Sequence, residues 1–176
     1  MKFIDYLFQD LENNAKNTKA KMILILFRLA QVCRNSKKPF FFFCIPYLVF
    51  YRVFVEWILC IELPWNTKIG KGLSLYHGQG LVVNDGTIIG KNVTLRHNTT
   101  IGSKKIAEGK YSQSPIIEDN VDIGSNVVII GSITIGKNSI IRAGSIVVKD
   151  VEANSIVAGN PAKLIKKIES LSNEKN

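Results

Sequence analysis

From Ile69 onward an aliphatic or small apolar residue returns at the same phase every six positions through most of the second half of the chain. The rows run I-G-K-G-L-S and L-Y-H-G-Q-G, then I-G-K-N-V-T and L-R-H-N-T-T, and later I-G-S-N-V-V, I-I-G-S-I-T, I-G-K-N-S-I and I-R-A-G-S-I. A fixed short period marks a solenoid, in which each repeat buries its apolar residue against the repeats above and below. Six residues per face and three faces per turn give a parallel β-helix of roughly 18 residues per coil. Coils then stack at about the interstrand spacing of 4.7–4.9 Å. Gly70, Gly90, Gly102, Gly124 and Gly136 stand beside apolar positions, where tight corners ask for small residues.

The pattern breaks twice. The frame slips by two residues between Leu81 and Ile89, and residues 103–114 (S-K-K-I-A-E-G-K-Y-S-Q-S) carry no hexad phase at all. This second break reads as a polar, basic loop thrown out from a rigid scaffold, the kind of segment that commonly carries function. The repeat ends at V-A-G-N-P-A-K, where Pro161 stops the strand pattern. Residues 163–171 then read as a short basic helix.

Ahead of the repeat the periodicity is helical. Residues 3–11 form a short amphipathic segment, and residues 21–34 a second helix ended by Asn35, Ser36 and Pro39. The run 40–61 (F-F-F-F-C-I-P-Y-L-V-F-Y-R-V-F-V-E-W-I-L-C-I) is long enough to cross a bilayer. Pro46 interrupts it, and Arg52 and Glu56 form an i,i+4 pair that is costly in hydrocarbon. Three readings stay open: a span, a helix packed on the solenoid or a partner subunit, and a helix lying on a membrane surface. Lys37 and Lys38 just before the run suit an anionic leaflet. The expected organisation is residues 1–63 helical and apolar, 64–162 solenoid with the loop 103–114, and 163–176 a C-terminal helix and tail.

The net charge of +9 suits phosphate-bearing cofactors, nucleic acid or an anionic membrane. The basic residues are scattered without aromatic interleaving, so no nucleic-acid partner is expected. Cys33, Cys44 and Cys60 are odd in number and lack CxxC spacing. They read as buried small hydrophobes in a reducing compartment. The acidic residues near the start and the lack of a cleavage site argue against a secretory signal, so a cytoplasmic location is expected, peripheral at the inner membrane face if the apolar run lies on lipid.

His77 and His97, the two histidines of the chain, each take the third place of a hexad, after Leu75 and Leu95. They are 20 residues apart, one coil of 18 plus the slip of two, and so stack on one face in adjacent coils. An imidazole there can act as general base, taking a proton from a hydroxyl as it attacks. No metal centre is expected, since the solenoid offers neither a third histidine nor a cysteine. G-x-S-x-G, Walker and G-x-G-x-x-G signatures are absent. Ser125 and Ala143, 18 apart, fall in one row parallel to the solenoid axis.

The elements E-L-P-W-N-T-K-I-G-K-G-L-S-L-Y-H-G-Q-G, V-T-L-R-H-N-T-T-I-G-S and G-S-I-V-V-K-D-V…V-A-G-N-P-A-K resemble one family. It is the left-handed β-helix (hexapeptide-repeat) acyltransferases, in their serine acetyltransferase-like branch. Among these it is most similar to the O-acetyltransferases of colanic acid and capsular polysaccharide. The resemblance covers about 100 residues, 62–163, and the N-terminal helices more loosely. It implies an acetyl-CoA-dependent O-acetyltransferase without a metal, assembled as a homotrimer and acting on a carbohydrate hydroxyl, on a lipid-linked unit in one form of this reading. Serine O-acetylation in cysteine synthesis is the alternative, and a non-catalytic membrane-associated scaffold the second.

Carried over by position, His77 matches the family's catalytic histidine and Glu62 the carboxylate that orients it. His97, Asn98, Tyr76 and Ser103 fall where the acceptor binds. Gly102, Ser125, Ala143, Val148, Lys149, Lys163 and Lys166 fall along coenzyme A, the lysines toward its phosphates. Two positions depart from the serine-specific pattern. Tyr76 stands where an Asp precedes the catalytic histidine, and Gln113-Ser114 where Arg-His precedes the proline of re-entry. Uncharged groups in place of charged ones disfavour a zwitterionic acceptor and suit a carbohydrate.

Overall fold

The computed structural model describes residues 3–168. A helical cap precedes the solenoid: α1 (Phe3–Leu7), a 3-10 turn (Glu12–Asn14), α2 (Thr18–Arg34), α3 (Phe40–Tyr51) and a π-helical turn (Arg52–Ile58). In that last turn the Leu59 amide donates to the Phe54 carbonyl, so the chain leaves the cap one residue wider than an α-helix would allow.

Three short-stranded parallel faces then wind as a left-handed β-helix of about five turns. Face A stacks β1 (Ile61–Glu62), β4 (Leu81–Val83), β7 (Thr100–Gly102), β10 (Val128–Ile130) and β13 (Ile146–Val147). Face B stacks β2 (Lys68–Ile69), β5 (Ile88–Ile89), β8 (Ile116–Ile117) and β11 (Thr134–Ile135). Face C stacks β3 (Ser74–Tyr76), β6 (Thr94–Arg96), β9 (Asp122–Ile123), β12 (Ile140–Ile141), β14 (Ser155–Gly159) and β15 (Ala162–Lys167). Each hexad sends one aliphatic side chain inward, and Leu63, Ile89, Leu95, Ile101, Ile117, Ile123, Ile129, Ile135 and Ile141 are all buried. Removing such side chains from water is the main stabilising term, about 1.5–3 kcal/mol each.

The registers relocate the two-residue slip. Ile61 pairs with Leu81, Lys68 with Ile88 and Ser74 with Thr94, each 20 residues apart, whereas Val82 pairs with Thr100 at 18. The extra residues therefore lie between β3 and β4, at residues 77–80, and not between Leu81 and Ile89 as the spacing of aliphatics suggests. Leu81 and Val83 both point inward, and Val83 holds the repeated position opposite Ile101. The stacking of His77 with His97 survives, because Tyr76 pairs with Arg96 just before the insertion.

Two boundaries differ from expectation. The solenoid begins at Ile61, inside the segment assigned to the helical region. The C-terminal helix expected from Lys163 is instead strand β15 as far as Lys167, antiparallel to β14. The last coil would otherwise leave a row of unpaired amides and carbonyls, and the chain folding back satisfies them. The remainder of that helix, 169–171, and the tail lie outside the described residues.

The cap is tied to the first coil through charge. The fully buried Arg28 guanidinium donates to Asp10 at 2.8 and 3.2 Å and to the Ile69 and Gly70 carbonyls at 3.0 and 2.7 Å. Asp10 in turn accepts from the Gly72 and Leu73 amides at 2.8 and 2.9 Å. Asn14 closes the same seam, donating to the Leu73 carbonyl and accepting from the Leu75 amide.

Candidate active site

The insertion at 77–80 falls on the corner where face C turns into face A. His77 sits there at φ 66°, a left-handed conformation that a side chain with a Cβ rarely adopts. Such a residue costs on the order of 1–3 kcal/mol and concentrates at functional sites. Gly78 and Gly80 share the left-handed region (φ 69° and 66°), and a Cβ on Gly80 would meet the Asn98 side-chain oxygen at 2.3 Å. Gln79 holds the corner from below: with its amide set to satisfy both neighbours, it donates to the His77 carbonyl and accepts from Lys19. Gln79 and Lys19 carry no motif of their own, and only the corner's geometry brings them in.

The two imidazoles meet edge to face, with ring centres 5.8 Å apart and planes at 76°. His77 is exposed and His97 half-buried. His97 Nδ1 is buried with no hydrogen-bond partner, a cost that a native site retains for a reason. Above them the corner continues as a single row. The Asn126 amide donates to the His97 carbonyl and the Gly144 amide to the Ser125 carbonyl. With Ile141 paired to both Ile123 and Val157, the row reads His77, His97, Ser125, Ala143, Gly159. Four steps of coil spacing make it about 19 Å long. Ala143 is exposed along it. At the far end Lys163 pairs with Ala158 beside Gly159, while Lys166 lies further along face C opposite Ile156.

The expected acceptor residues divide. Tyr76 is exposed next to His77, with the Arg96 guanidinium 5.4 Å from its ring centre, and Arg96 is held by Asp122. Asn98 shares the His97 corner and donates to Asn126 at 3.1 Å. Ser103 lies elsewhere, in a cleft of about 500 Å³ along the outside of face A, together with Glu62, Gly102, Asn84, Arg52 and Trp65. Glu62 is exposed in that cleft, and among the described residues no hydrogen bond joins it to His77. Val148, two residues past Ile146, continues the row of Asn84, Gly102 and Ile130 on the corner between faces A and B. Lys149 borders a hollow of about 240 Å³ at the end of the solenoid, with Ala162 and Leu164. One chain thus carries two edges, one with the histidines and one with Gly102 and Val148, separated by the width of face A.

The loop 103–114 is anchored at its exit by Ser114 donating to Asn84 at 2.7 Å, and at its middle by a bridge between Lys105 and Tyr111. Beside the cleft, burial raises the Glu56 carboxyl above its ordinary value, against the opposing pull of Arg52 at 3.3 Å. Among the described residues no group of three or more His, Cys, Asp or Glu could hold a metal ion.

Comparison with known proteins follows the same outline. No family model matches the chain. It is 41% identical over 109 residues to serine acetyltransferase 2 of Arabidopsis thaliana, covering 62% of this chain and 33% of that protein. The chain therefore spans about a third of the length of the plant enzymes it matches. It is 30% identical over 161 residues to WcaB of Escherichia coli K12, assigned by name to colanic acid biosynthesis as an acetyltransferase, covering 90% of this chain and 98% of WcaB. The crystal structure of serine acetyltransferase from Brucella abortus superposes with a TM-score of 0.76 at 25% identity, over 94% of this chain and 70% of that one. Soybean serine acetyltransferase gives 0.76 at 27%, over 93% and 69%.

Proposed function

This chain is an acetyltransferase that belongs to the serine acetyltransferase-like branch of the hexapeptide-repeat acyltransferases, and from that premise we propose that it moves an acetyl group from acetyl-CoA to an acceptor hydroxyl with His77 as general base. The observation that carries the proposal is the corner row: a strained, exposed histidine, a second imidazole against it, and small residues continuing about 19 Å along the solenoid axis. Laid along that row, the pantetheine arm passes Ser125 and Ala143 and brings the thioester to the histidine pair. The phosphates then lie at the far end, near Lys163.

His77 takes the proton of the acceptor hydroxyl as its oxygen attacks the thioester carbonyl. The tetrahedral intermediate collapses, the C–S bond breaks, and the leaving thiolate takes the proton back from the imidazolium. Acetyl passes directly, with no covalent enzyme intermediate. Glu62, the carboxylate that the resemblance assigns to orient His77, lies on β1 beneath the strand that follows His77. Among the described residues it makes no hydrogen bond to His77 within the single chain, so its role needs its own readout. Glu62→Gln should lower kcat with little change in KM and alter the pH dependence of kcat, which loss of fold alone would not do. We take the assembly to be a homotrimer, as in the fold family, with Gly102 and Val148 of one subunit facing the histidine edge of the next.

Two acceptors compete. The weight of the comparisons lies with L-serine, since the relatives at 41% and 40% identity and the solved structures carry that name. A carbohydrate hydroxyl is the second reading, supported by the end-to-end match to WcaB. It is also supported by Tyr76 and Gln113-Ser114, which provide no counter-charge where serine's ammonium and carboxylate would need one. Thiol release from acetyl-CoA, measured with L-serine and with a panel of free, nucleotide-linked and lipid-linked sugars, separates them. Turnover confined to serine overturns the carbohydrate reading, turnover confined to sugars overturns the serine reading, and release with neither overturns both.

A further inference from the structure

Helix α3 is apolar on both sides. Cys44, Leu48 and Tyr51 face inward and are buried, and Tyr47 and Tyr51 fasten that side by donating to the Leu26 and Leu63 carbonyls at 2.8 and 2.7 Å. On the opposite side Phe42, Phe43, Ile45, Val49 and Phe50 stand exposed, Phe43 at 79%. At 100° per residue these five and Pro46 fill an arc of roughly 160° that holds no charged or hydrogen-bonding side chain. A water-facing helix surface is ordinarily polar, and a contiguous apolar patch of this kind marks an interaction site.

The flank of the patch identifies what covers it. Arg34, Lys37 and Lys38 are exposed at the turn leading into α3. The Arg34 guanidinium lies 5.7 Å from the Phe41 ring centre, and the Lys37 carbonyl accepts from the Phe41 amide, so the cations sit at the start of the apolar face. A second copy meeting this face about a two-fold axis would bring a like-charged cluster to the same contact, whereas an anionic lipid surface offers the opposite charge next to hydrocarbon. We propose that this face of α3 docks on an anionic membrane surface, with the phenylalanines in the acyl boundary and the basic turn among the headgroups.

The helix lies in the membrane plane and does not cross it. By length and composition the continuous helical run Phe40–Ile58, 19 residues, could cross a bilayer, and what argues against a span is its packing and its charge. Its other side is packed on α2, and the Arg52–Glu56 pair follows directly. Pro46 also lacks the amide that would serve the Phe42 carbonyl. At headgroup depth water serves that carbonyl, and in the bilayer centre nothing would. Trp57, 67% exposed in the π-helical turn, suits the same interfacial layer.

The test is flotation of the full chain with vesicles of phosphatidylcholine alone and of phosphatidylcholine with phosphatidylglycerol. The full chain should float with the anionic vesicles and much less with the neutral ones. Phe42→Ser with Phe43→Ser should lower the bound fraction at least roughly tenfold, with thiol release from acetyl-CoA and the sedimentation coefficient both as in the parent. Lys37→Glu with Lys38→Glu should abolish the preference for anionic vesicles. In the parent chain, brominated lipids should quench tryptophan fluorescence, a readout that does not depend on either variant folding. A parent that stays with the soluble fraction and is not quenched overturns the proposal. So does a serine variant that floats undiminished, or one that sediments as a smaller species, which would make the face a subunit interface.

Discussion

Asp10→Ala would remove the acidic half of the clamp between the helical cap and the first coil. Arg28 would keep the Gln31 oxygen and the Ile69 and Gly70 carbonyls as acceptors but would lose its counter-charge, in a place where none of its surface reaches solvent. The Gly72 and Leu73 amides would lose their acceptor as well. Removing one member of a buried ion pair costs roughly 3–5 kcal/mol, and each stranded amide about 1–3 more before relaxation recovers part of it. We take about 4 kcal/mol as the expected loss. For a chain of this length 1 kcal/mol moves Tm by about 2–4 °C, so Tm should fall by roughly 8–16 °C. The assay is thermal unfolding by far-ultraviolet circular dichroism at fixed protein concentration and scan rate. Asp10→Asn, which keeps one acceptor oxygen, should fall between. Glu12→Ala, on the exposed side of the same segment, should leave Tm where it was. An Asp10→Ala protein that melts with the parent would mean that the buried pair does not hold the cap.

Further outcomes follow from individual groups. Ala143→Trp should raise KM for acetyl-CoA on the order of tenfold with Tm unchanged, because the side chain points out of the fold into the corner row. Native protein should react with a thiol reagent at Cys60 alone. Cys33 and Cys44 are buried, and burial, with Cys44 alongside, pushes the Cys33 thiol up to about 12; denaturation should expose all three. The raised Glu56 carboxyl lets the folded chain hold that proton to higher pH than the unfolded chain does. This favours folding at acid pH and is lost as pH rises through the raised value, so Glu56→Gln should flatten that part of the curve of Tm against pH.

The solenoid was legible because its period is physical: one inward aliphatic per hexad cannot move without emptying the core. The location of the slip was not, since Leu81 and Val83 are both buried and the aliphatic spacing cannot say which keeps the phase; only pairing with Ile61 and Ile101 decides it. The C-terminal segment has a helix-like spacing of apolar and basic residues, but the open edge of the last coil outweighs that propensity and draws Ala162–Lys167 into a strand. Of the site, stacking of His77 on His97 and the row through Ser125 and Ala143 followed from residue counting. The left-handed backbone of His77, the stranded His97 nitrogen and the support from Gln79 and Lys19 did not, because each depends on a corner that the repeat itself does not encode. Glu62 and Ser103 stood near the histidines by resemblance, and the fold puts them in the cleft along face A.

Acetyl transfer by this route requires His77 as the base at the end of the corner row. The most direct measurement is kcat for acetyl transfer by His77→Ala beside His97→Ala, with acetyl-CoA binding followed by calorimetry on the same preparations. His77→Ala should lose roughly 10²–10⁴-fold in kcat while still binding acetyl-CoA, and His97→Ala should lose less. A His77→Ala enzyme that binds acetyl-CoA and transfers acetyl at the parental rate would contradict the mechanism.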